Sequence, residues 1–298
     1  MKTTIHLKLD RQTPFANGHE FGATGPYERI LGKIEFAIDP KDPANQNVVD
    51  LDKAPHNKYG LVEFSGDLDI LKPVDMRRGN QRILYDVNNR GNKTILPHMN
   101  DAEPGPDPMT LAHAGNGFLM RHGYTMVWSG WHGDLLPING LLTAELPEAT
   151  ENGKRLQGTI RQEFIVEQPG VLSMPLSGDL SIRNYEAVNL NTSQAFFTRR
   201  RRETDPREPI GPKEWAFAEA NVDQSTGSTT IKASASSCYL KSGFKPGWIY
   251  ELIYKTEGSR IMGLGLIGIR DLISFLRYET HDSEGYPNPL AEHVEKAY

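Results

Sequence analysis

The sequence contains a single cysteine, Cys238, among its 298 residues. One thiol cannot form an internal disulfide, and it cannot supply the two or more thiolates of a cysteine-based zinc site. Long apolar stretches are also lacking, since the longest run of apolar and glycine residues, 261–269, is far shorter than the roughly 20 residues of a membrane span. The first residues, MKTTIHLKLDRQ, lack the apolar core of a secretory signal. These absences predict a cytoplasmic protein with no membrane partner.

Neither sign of charge is in large excess. The 33 basic and 38 acidic residues give a formal net charge of −5. The densest basic stretch, 199–202, consists of four arginines, and acidic residues follow it at Glu203, Asp205 and Glu208. A nucleic-acid-binding face needs uncompensated basic charge, commonly interleaved with aromatic residues. We therefore predict a solvated loop at 199–202 and no nucleic-acid partner.

The spacing that metal sites need is missing, although the sequence has nine histidines. No H-E-x-x-H sequence occurs. The nearest grouping consists of His98, Asp101, Asp107 and His113. It lies in a Pro- and Gly-rich stretch and does not follow the spacing of a ligand set. We predict no metal ion and no other cofactor.

A recognisable nucleophile is also missing. The turn that exposes a serine nucleophile between a strand and a helix needs glycine, or a residue nearly as small, two positions before and after the serine. No serine of this sequence has glycine at both positions, and Ser129, at a predicted strand end, has Val127 and Trp131 there. Nothing around Cys238 indicates an activated thiol. We predict no catalytic residue within this chain.

Turn-forming residues are abundant, with 28 glycines and 20 prolines, which predicts a β-rich or mixed chain. Residues 83–87 and 124–128 form compact apolar runs without clean alternation, as in strands buried on both faces of a parallel sheet. Apolar residues within 109–121 recur at helical spacing, so the three segments together predict a β–α–β unit. Residues 261–278 give the clearest helical pattern in the chain.

The pattern changes between about residues 140 and 247, where short alternating segments are separated by Gly, Pro, Asn and Asp. We interpret this part as a β-rich insertion of small-domain size. The predicted organisation is N-terminal strands with the first β–α–β elements in 1–139, the insertion in 140–246, and a return to the core in 247–298. The predicted fold class is α/β.

Gly263, Gly265 and Gly268 match the G-x-G-x-x-G pattern of dinucleotide-binding turns. That pattern needs a strand that runs directly into the first glycine, so that the helix N-terminus meets the pyrophosphate. Here the preceding predicted strand ends near Lys255, and residues 256–262 intervene. We favour small residues that let a helix pack closely on a sheet, with a nucleotide-dependent oxidoreductase as a distant alternative.

Motifs spread over nearly the whole chain resemble one known family. In chain order they occupy residues 21–28, 39–40, 50–55, 60–64, 85–91, 115–119, 123–134, 263–265 and 270–276. The sequence GYTMVWSGWHGD at 123–134 is the most specific of them. Together they resemble the bacterial alpha/beta hydrolase domain proteins, a family with a large insertion in the hydrolase fold.

The resemblance implies an α/β-hydrolase sheet and hydrolysis of a carboxylic ester-like bond by a serine mechanism. In that family, the helix that 261–278 resembles leads into a strand ending in a G-x-S-Q-x-G turn with the nucleophilic serine. The chain ends at Tyr298 without such a turn, so the resemblance covers the N-terminal portion of such an enzyme, with the triad expected beyond Tyr298. We predict a partial α/β-hydrolase sheet and negligible turnover by this chain alone.

The resemblance also indicates site residues. In the hydrolase fold, one oxyanion-hole N–H comes from the loop after an early strand, which residues 88–91 resemble. The predicted backbone donors are those of Asn89, Arg90 and Gly91, the glycine permitting close approach. A plain turn that uses Asn and Gly for their backbone angles is the alternative. The candidate residues of the pocket mouth are Trp131, His132 and Asp134, and an ordinary loop packed by one large aromatic is the alternative there.

Two classes of function stay open. The first is the N-terminal portion of a serine hydrolase whose partner is a small-molecule ester. The second is a non-catalytic binding or interaction protein that uses the β-rich insertion. An incomplete parallel sheet would expose an apolar strand edge after Tyr298, which predicts an oligomer that covers this edge.

Overall fold

The structure is a computed structural model that describes residues 3–138, 140–223 and 225–298. The chain divides into two compact units. The first unit comprises Met1–Pro147 and Arg260–Tyr298, and the second comprises Glu148–Ser259. The segment interpreted as an insertion, 140–246, therefore overlaps the second unit.

The described residues form sixteen strands and four α-helices. The strands are β1 (Thr4–Pro14), β2 (Tyr27–Ile38), β3 (Val62–Pro73), β4 (Arg82–Tyr85), β5 (Thr125–Ser129), β6 (Ala144–Glu145), β7 (Thr150–Glu151), β8 (Lys154–Arg155), β9 (Gln157–Ile165), β10 (Val171–Pro175), β11 (Phe196–Arg200), β12 (Glu208–Pro209), β13 (Trp215–Val222), β14 (Thr229–Phe244), β15 (Ile249–Glu257) and β16 (Lys296–Ala297). The helices are α1 (Ile95–Asn100), α2 (Leu111–Ala114), α3 (Phe118–Arg121) and α4 (Gly263–Tyr278). Short 3₁₀ helices lie at Phe15–Gly18, Gly22–Thr24, Pro43–Asn45, Leu51–Lys53, Met76–Arg78 and Thr192–Gln194.

The predicted fold class, α/β with a partial α/β-hydrolase sheet, is wrong. Strands account for 39% of the residues and helices for 17%, and the strands belong to several separate sheets. One physical reason lies in the stretch 109–121, which was predicted to form one helix. Gly115 and Gly117 have φ of 55° and 66°, outside the helical range, and they separate α2 from α3. The chain is therefore mostly β.

The first unit is built on a seven-stranded sheet in the order β1-β2-β3-β5-β4-β16, with β6 paired to β3. The pairs β1–β2, β2–β3 and β3–β5 are antiparallel, whereas β4 is parallel to both β5 and β16. The prediction that 83–87 and 124–128 form parallel strands is confirmed by the β4–β5 pairing. Parallel neighbours end at the same edge of a sheet, so the segments after Tyr85 and Ser129 lie side by side.

Helix α4 confirms the helical pattern of 261–278 and explains its glycines. A Cβ atom on Gly265 would lie 1.8 Å from the carbonyl oxygen of Trp131, and one on Gly268 would lie 3.1 Å from the ring of Phe64. Only a hydrogen atom fits at Gly265. Close packing of α4 on its neighbours therefore explains Gly265 and Gly268.

The second unit contains a three-stranded sheet, β10-β14-β13, a four-stranded sheet, β12-β11-β15-β9, and the β7–β8 hairpin. Every pair in these sheets is antiparallel. Aromatic rings fill its core, among them Phe164, Phe197, Trp215 and Phe244. Cys238 lies fully buried in this core, and burial raises the pKa of its thiol, so the thiol is held in its unreactive protonated form.

Candidate functional site

The carboxyl ends of β4 and β5 meet at the loop 86–94, which connects β4 to α1 and is called the β4–α1 loop below. Three of its polar side chains are buried, those of Asp86, Asn88 and Lys93. Buried polar groups are stable only when they are hydrogen-bonded, so their partners define how the loop is held.

Asp86 closes the base of the β4–α1 loop. Its carboxylate accepts hydrogen bonds from the backbone N–H groups of Thr94 and Ile95, at 2.7 and 2.9 Å. It also accepts one from Nε1 of Trp128, on the adjacent strand β5, at 2.9 Å. Hydrogen bonds to an ionised acceptor are stronger than neutral ones. Asp86 thereby fixes both ends of the loop to each other and to β5.

Asn88 shapes the turn within the loop. Its Oδ1 accepts the N–H of Gly91 at 3.0 Å, and its Nδ2 donates to the carbonyl of Ser129 at 2.7 Å. Its own carbonyl accepts a hydrogen bond from Nε1 of Trp131 at 3.0 Å. Asn88 therefore connects the turn 88–91 to the segment that follows β5. Sequence reasoning missed this role, although an Asn that opens a turn closed by Gly is a recognisable signal.

The three predicted oxyanion donors lie in this turn but differ from one another. Gly91 is buried, with φ of 78°, and its N–H already donates to Asn88. A Cβ atom on Gly91 would lie 2.7 Å from the carbonyl oxygen of Leu142, so this glycine serves the turn and its packing. Asn89 and Arg90 are exposed.

The candidate residues of the pocket mouth come together after β5. The rings of Trp131 and His132 stack with their centroids 4.8 Å apart and 7° between their planes. Nε2 of His132 lies 3.2 Å from Oδ1 of Asp134, but these atoms are not aligned for a hydrogen bond. Nδ1 of His132 is buried and has no hydrogen-bond partner within the described ranges. His132 therefore lies against Trp131 on one side and close to Asp134.

Lys93 joins the loop to a buried ion network. Its Nζ lies 2.6 Å from Oδ2 of Asp69 and donates to the carbonyl of Pro106 at 2.6 Å. Asp69 also accepts from Arg29, whose Nε and Nη2 lie 2.9 and 2.7 Å from its two carboxylate oxygens. Arg29 makes a further ion pair with Asp107. Burial lowers the pKa of Lys93, and the negative charge of Asp69 opposes this shift.

A cavity of about 380 Å³ opens beside the β4–α1 loop. Its lining combines residues 92–94 of the loop with His98 of α1. The other lining residues are Pro97, Pro104, Gly105 and Pro106. This volume lies in the range of small-molecule sites, and an apolar lining with a few polar groups is typical of them. The loop therefore has room for a small ligand next to it.

A larger hollow of about 560 Å³ is lined by residues of β1, β2 and β3 together with residues 145–147 and 283–284. Its lining includes the carboxylates of Glu35, Glu63, Glu145 and Glu284. Two of these already have a cationic partner, since Glu35 pairs with Lys8 and Glu145 with Lys33. We therefore place the candidate site at the β4–α1 loop.

Comparison with protein-family models, with curated proteins and with solved structures finds no match for this chain. The described helices include none that is both long enough and apolar enough to cross a membrane. The described residues hold no group of three or more His, Cys, Asp and Glu side chains placed to bind a metal ion. In the same residues, none of the hydrogen bonds formed by serine hydroxyl groups involves a histidine, and Ser129, for example, bonds to Tyr85 at 2.6 Å.

Proposed function

We propose that this chain binds the acyl part of a carboxylic ester at the β4–α1 loop, as the acyl-binding portion of a serine enzyme that hydrolyses esters. Two observations support the proposal. The motifs resemble the bacterial alpha/beta hydrolase domain proteins, although the hydrolase sheet that they also imply is not formed. The loop lies at the carboxyl ends of two parallel strands beside a cavity, where ligands commonly bind.

The observation that carries the proposal is the way in which Asn88 fixes the turn. In ester hydrolysis, negative charge develops on the carbonyl oxygen, and donors that are already in place stabilise it best. Asn89 is an exposed residue, and its backbone N–H would supply such a donor. Asp86, Asn88 and Lys93 hold the loop, so it need not reorganise when the charge develops. The attacking serine and its histidine would come from outside the described residues.

Binding of an uncharged ester tests this function. We expect saturation-transfer NMR to detect ethyl butyrate on the native chain, without measurable hydrolysis. Asn88→Ala should bind it at least about tenfold more weakly, because the turn loses hydrogen bonds to Gly91 and Ser129. The control is Asn116→Ala in the same unit, whose exposed side chain donates to Asp101 outside the β4–α1 loop, and it should bind nearly as the native chain does.

Two results would contradict the proposal: no binding to the native chain, or equal binding by Asn88→Ala while its melting curve stays cooperative. Rapid ester hydrolysis by the native chain would contradict the statement that it supplies no nucleophile.

A second candidate function is a non-catalytic binding or interaction protein that acts through the second unit. A cluster of arginines on the sheet β12-β11-β15-β9 favours it, as described in the next subsection. A cytoplasmic location is part of the proposal and fits the buried reduced thiol of Cys238. An oligomer that covers the outer edge of β16 also stays a proposal.

A further inference from the structure

Three arginines converge on one buried carboxylate in the second unit. Glu251 of β15 is 2% exposed, and its Oε1 lies 2.5 Å from Nη1 of Arg161, 3.0 Å from Nη2 of Arg207 and 3.3 Å from Nη2 of Arg200. Its Oε2 accepts a further hydrogen bond from Nε of Arg207 at 2.6 Å. The hydrogen bonds from Arg207 hold the pKa of Glu251 below its usual value, with the nearby arginine charges adding to the effect. Glu251 is thus a saturated, ionised acceptor.

The cluster keeps an uncompensated positive charge. Glu163 of β9 lies directly opposite Glu251 in the sheet register and is the second carboxylate of the cluster. The three guanidinium groups carry three positive charges and the two carboxylates carry two negative charges. These five groups therefore have a net charge of +1. Nε of Arg200 is buried without a hydrogen-bond partner within the described residues, although the rest of this side chain bonds to Glu251 and to the carbonyl of Glu203.

Two of the three guanidinium groups face solvent. The side chains of Arg161 and Arg207 are 53% and 47% exposed, whereas that of Arg200 is 8% exposed. Because Nη1 of Arg161 and Nη2 of Arg207 lie 2.5 and 3.0 Å from the same Oε1 atom, they are no more than about 5.5 Å apart. Each guanidinium has five N–H donors and spends only one or two of them on Glu251. The guanidinium groups of Arg161 and Arg207 therefore form a closely spaced pair that faces solvent and keeps unused N–H donors.

Exposed apolar side chains share a sheet face with Arg161. In the sheet register, Phe196 and Arg161 both lie opposite Ile253, so the three side chains share one face of the sheet. Phe196 and Ile165, which lies on the same face, are 54% and 58% exposed. A ligand that carries an apolar part beside its charged group would find apolar surface on this face.

We propose that Arg161 and Arg207 form a binding site for an oxyanion group, a phosphate or a carboxylate, on a small ligand. The planar guanidinium fork matches both groups, because it can donate two parallel hydrogen bonds to them. Glu251 and Arg200 act as positioning residues that hold the two forks in place. This site lies in the second unit and does not depend on the ester-binding function proposed for the β4–α1 loop.

Thermal unfolding in the presence of each anion tests the site. Sodium phosphate and sodium succinate are compared with sodium chloride at equal ionic strength, and each variant is compared with its own melting temperature in chloride. A ligand that binds only the folded protein raises the melting temperature in a saturable manner. We expect such a rise with at least one anion for the native chain. Arg161→Gln and Arg207→Gln should each weaken the apparent affinity about tenfold or more.

Two further variants separate a specific site from general attraction by positive charge. Arg207→Lys keeps the charge but loses the planar fork, and we expect it to weaken binding as well. Arg155→Gln is the matched control, because Arg155 is 48% exposed and ion-paired in the same unit, and it should respond to the anions as the native chain does.

The outcomes decide between the ligands and can reject the site. A saturable rise with phosphate alone assigns a phosphate ligand, and one with succinate alone assigns a carboxylate. No saturable rise of the native chain with either anion would overturn the proposal. An equal rise in the native chain and in folded Arg161→Gln, Arg207→Gln and Arg207→Lys would also overturn it.

Discussion

Asp69→Asn is expected to lower the free energy of unfolding of the first unit by about 3–5 kcal/mol. Asp69 is completely buried and is the shared counter-ion of Arg29 and Lys93, whose side chains are 1% and 4% exposed. Without its negative charge, two buried cations repel each other, and the other carboxylate of the network, Asp107, is 59% exposed. Removing one partner of a buried ion pair leaves an uncompensated charge, which is the costly case.

Urea unfolding followed by tryptophan fluorescence measures this loss. Glu35→Gln is the control, because Glu35 and its partner Lys8 are 41% and 53% exposed, and its loss should be about 1 kcal/mol or less. Adding Lys93→Met to Asp69→Asn should restore part of the stability, since one of the two cations left without a counter-ion is then removed. Similar losses for Asp69→Asn and Glu35→Gln would show that the buried network is not stabilised by its charges.

Gly265→Ala is expected to destabilise the first unit by about 3 kcal/mol. The added Cβ would lie 1.8 Å from the carbonyl oxygen of Trp131 and 2.7 Å from its carbonyl carbon, and a backbone cannot give way as a flexible side chain can. In an unobstructed helix, Gly to Ala would instead stabilise by about 0.5–1 kcal/mol. The sign of the effect therefore reports directly on the contact between α4 and Trp131.

The adjacent variant Leu266→Ala is the control for Gly265→Ala. Leu266 is 57% exposed on α4, so we expect a change in the free energy of unfolding of about 0.5 kcal/mol or less. Equilibrium urea unfolding of both variants and of the native chain measures these changes in the free energy of unfolding. A neutral or stabilising Gly265→Ala would mean that α4 does not pack against Trp131.

The positions of the main core elements could be predicted from the sequence, but the fold class could not. The runs 83–87 and 124–128 and the helical pattern of 261–278 are dense in apolar residues, and all three form the expected elements. In 109–121 the same reasoning failed, because the spacing of apolar residues carries no information on the positive φ of Gly115 and Gly117. The high content of glycine and proline, by contrast, did predict a chain that is β-rich or mixed.

The length of the antiparallel strands in the first unit could not be predicted, for a related reason. β3 runs over twelve residues, but most of its second half is buried on both faces, so the alternation that marks a strand is blurred. Burial on both faces depends on which segments pack there, and a local pattern does not contain that information.

The candidate site was predictable only in its location. The motif at 123–134 indicated the segment after β5, which contains Trp131, His132 and Asp134. The position of residues 88–91 directly after β4 indicated the turn. The hydrogen bond from Asn88 to Ser129 and the ion pair between Asp69 and Lys93 were not predictable, because their partners come from distant parts of the sequence.

The indole N–H resonance of Trp131 is the most direct test of acyl binding at the β4–α1 loop. Its Nε1 donates to the carbonyl of Asn88 at 3.0 Å, so a ligand at the loop changes its environment. The chain has four tryptophans, and two of them, Trp215 and Trp248, belong to the second unit and serve as internal controls. Trp131→Phe assigns the resonance in a ¹⁵N-labelled chain.

Titration with ethyl butyrate should shift the Trp131 resonance in a saturable manner and leave those of Trp215 and Trp248 in place. A Trp131 resonance that stays unchanged up to the solubility limit of the ester, or shifts confined to Trp215 and Trp248, would contradict acyl binding at the β4–α1 loop.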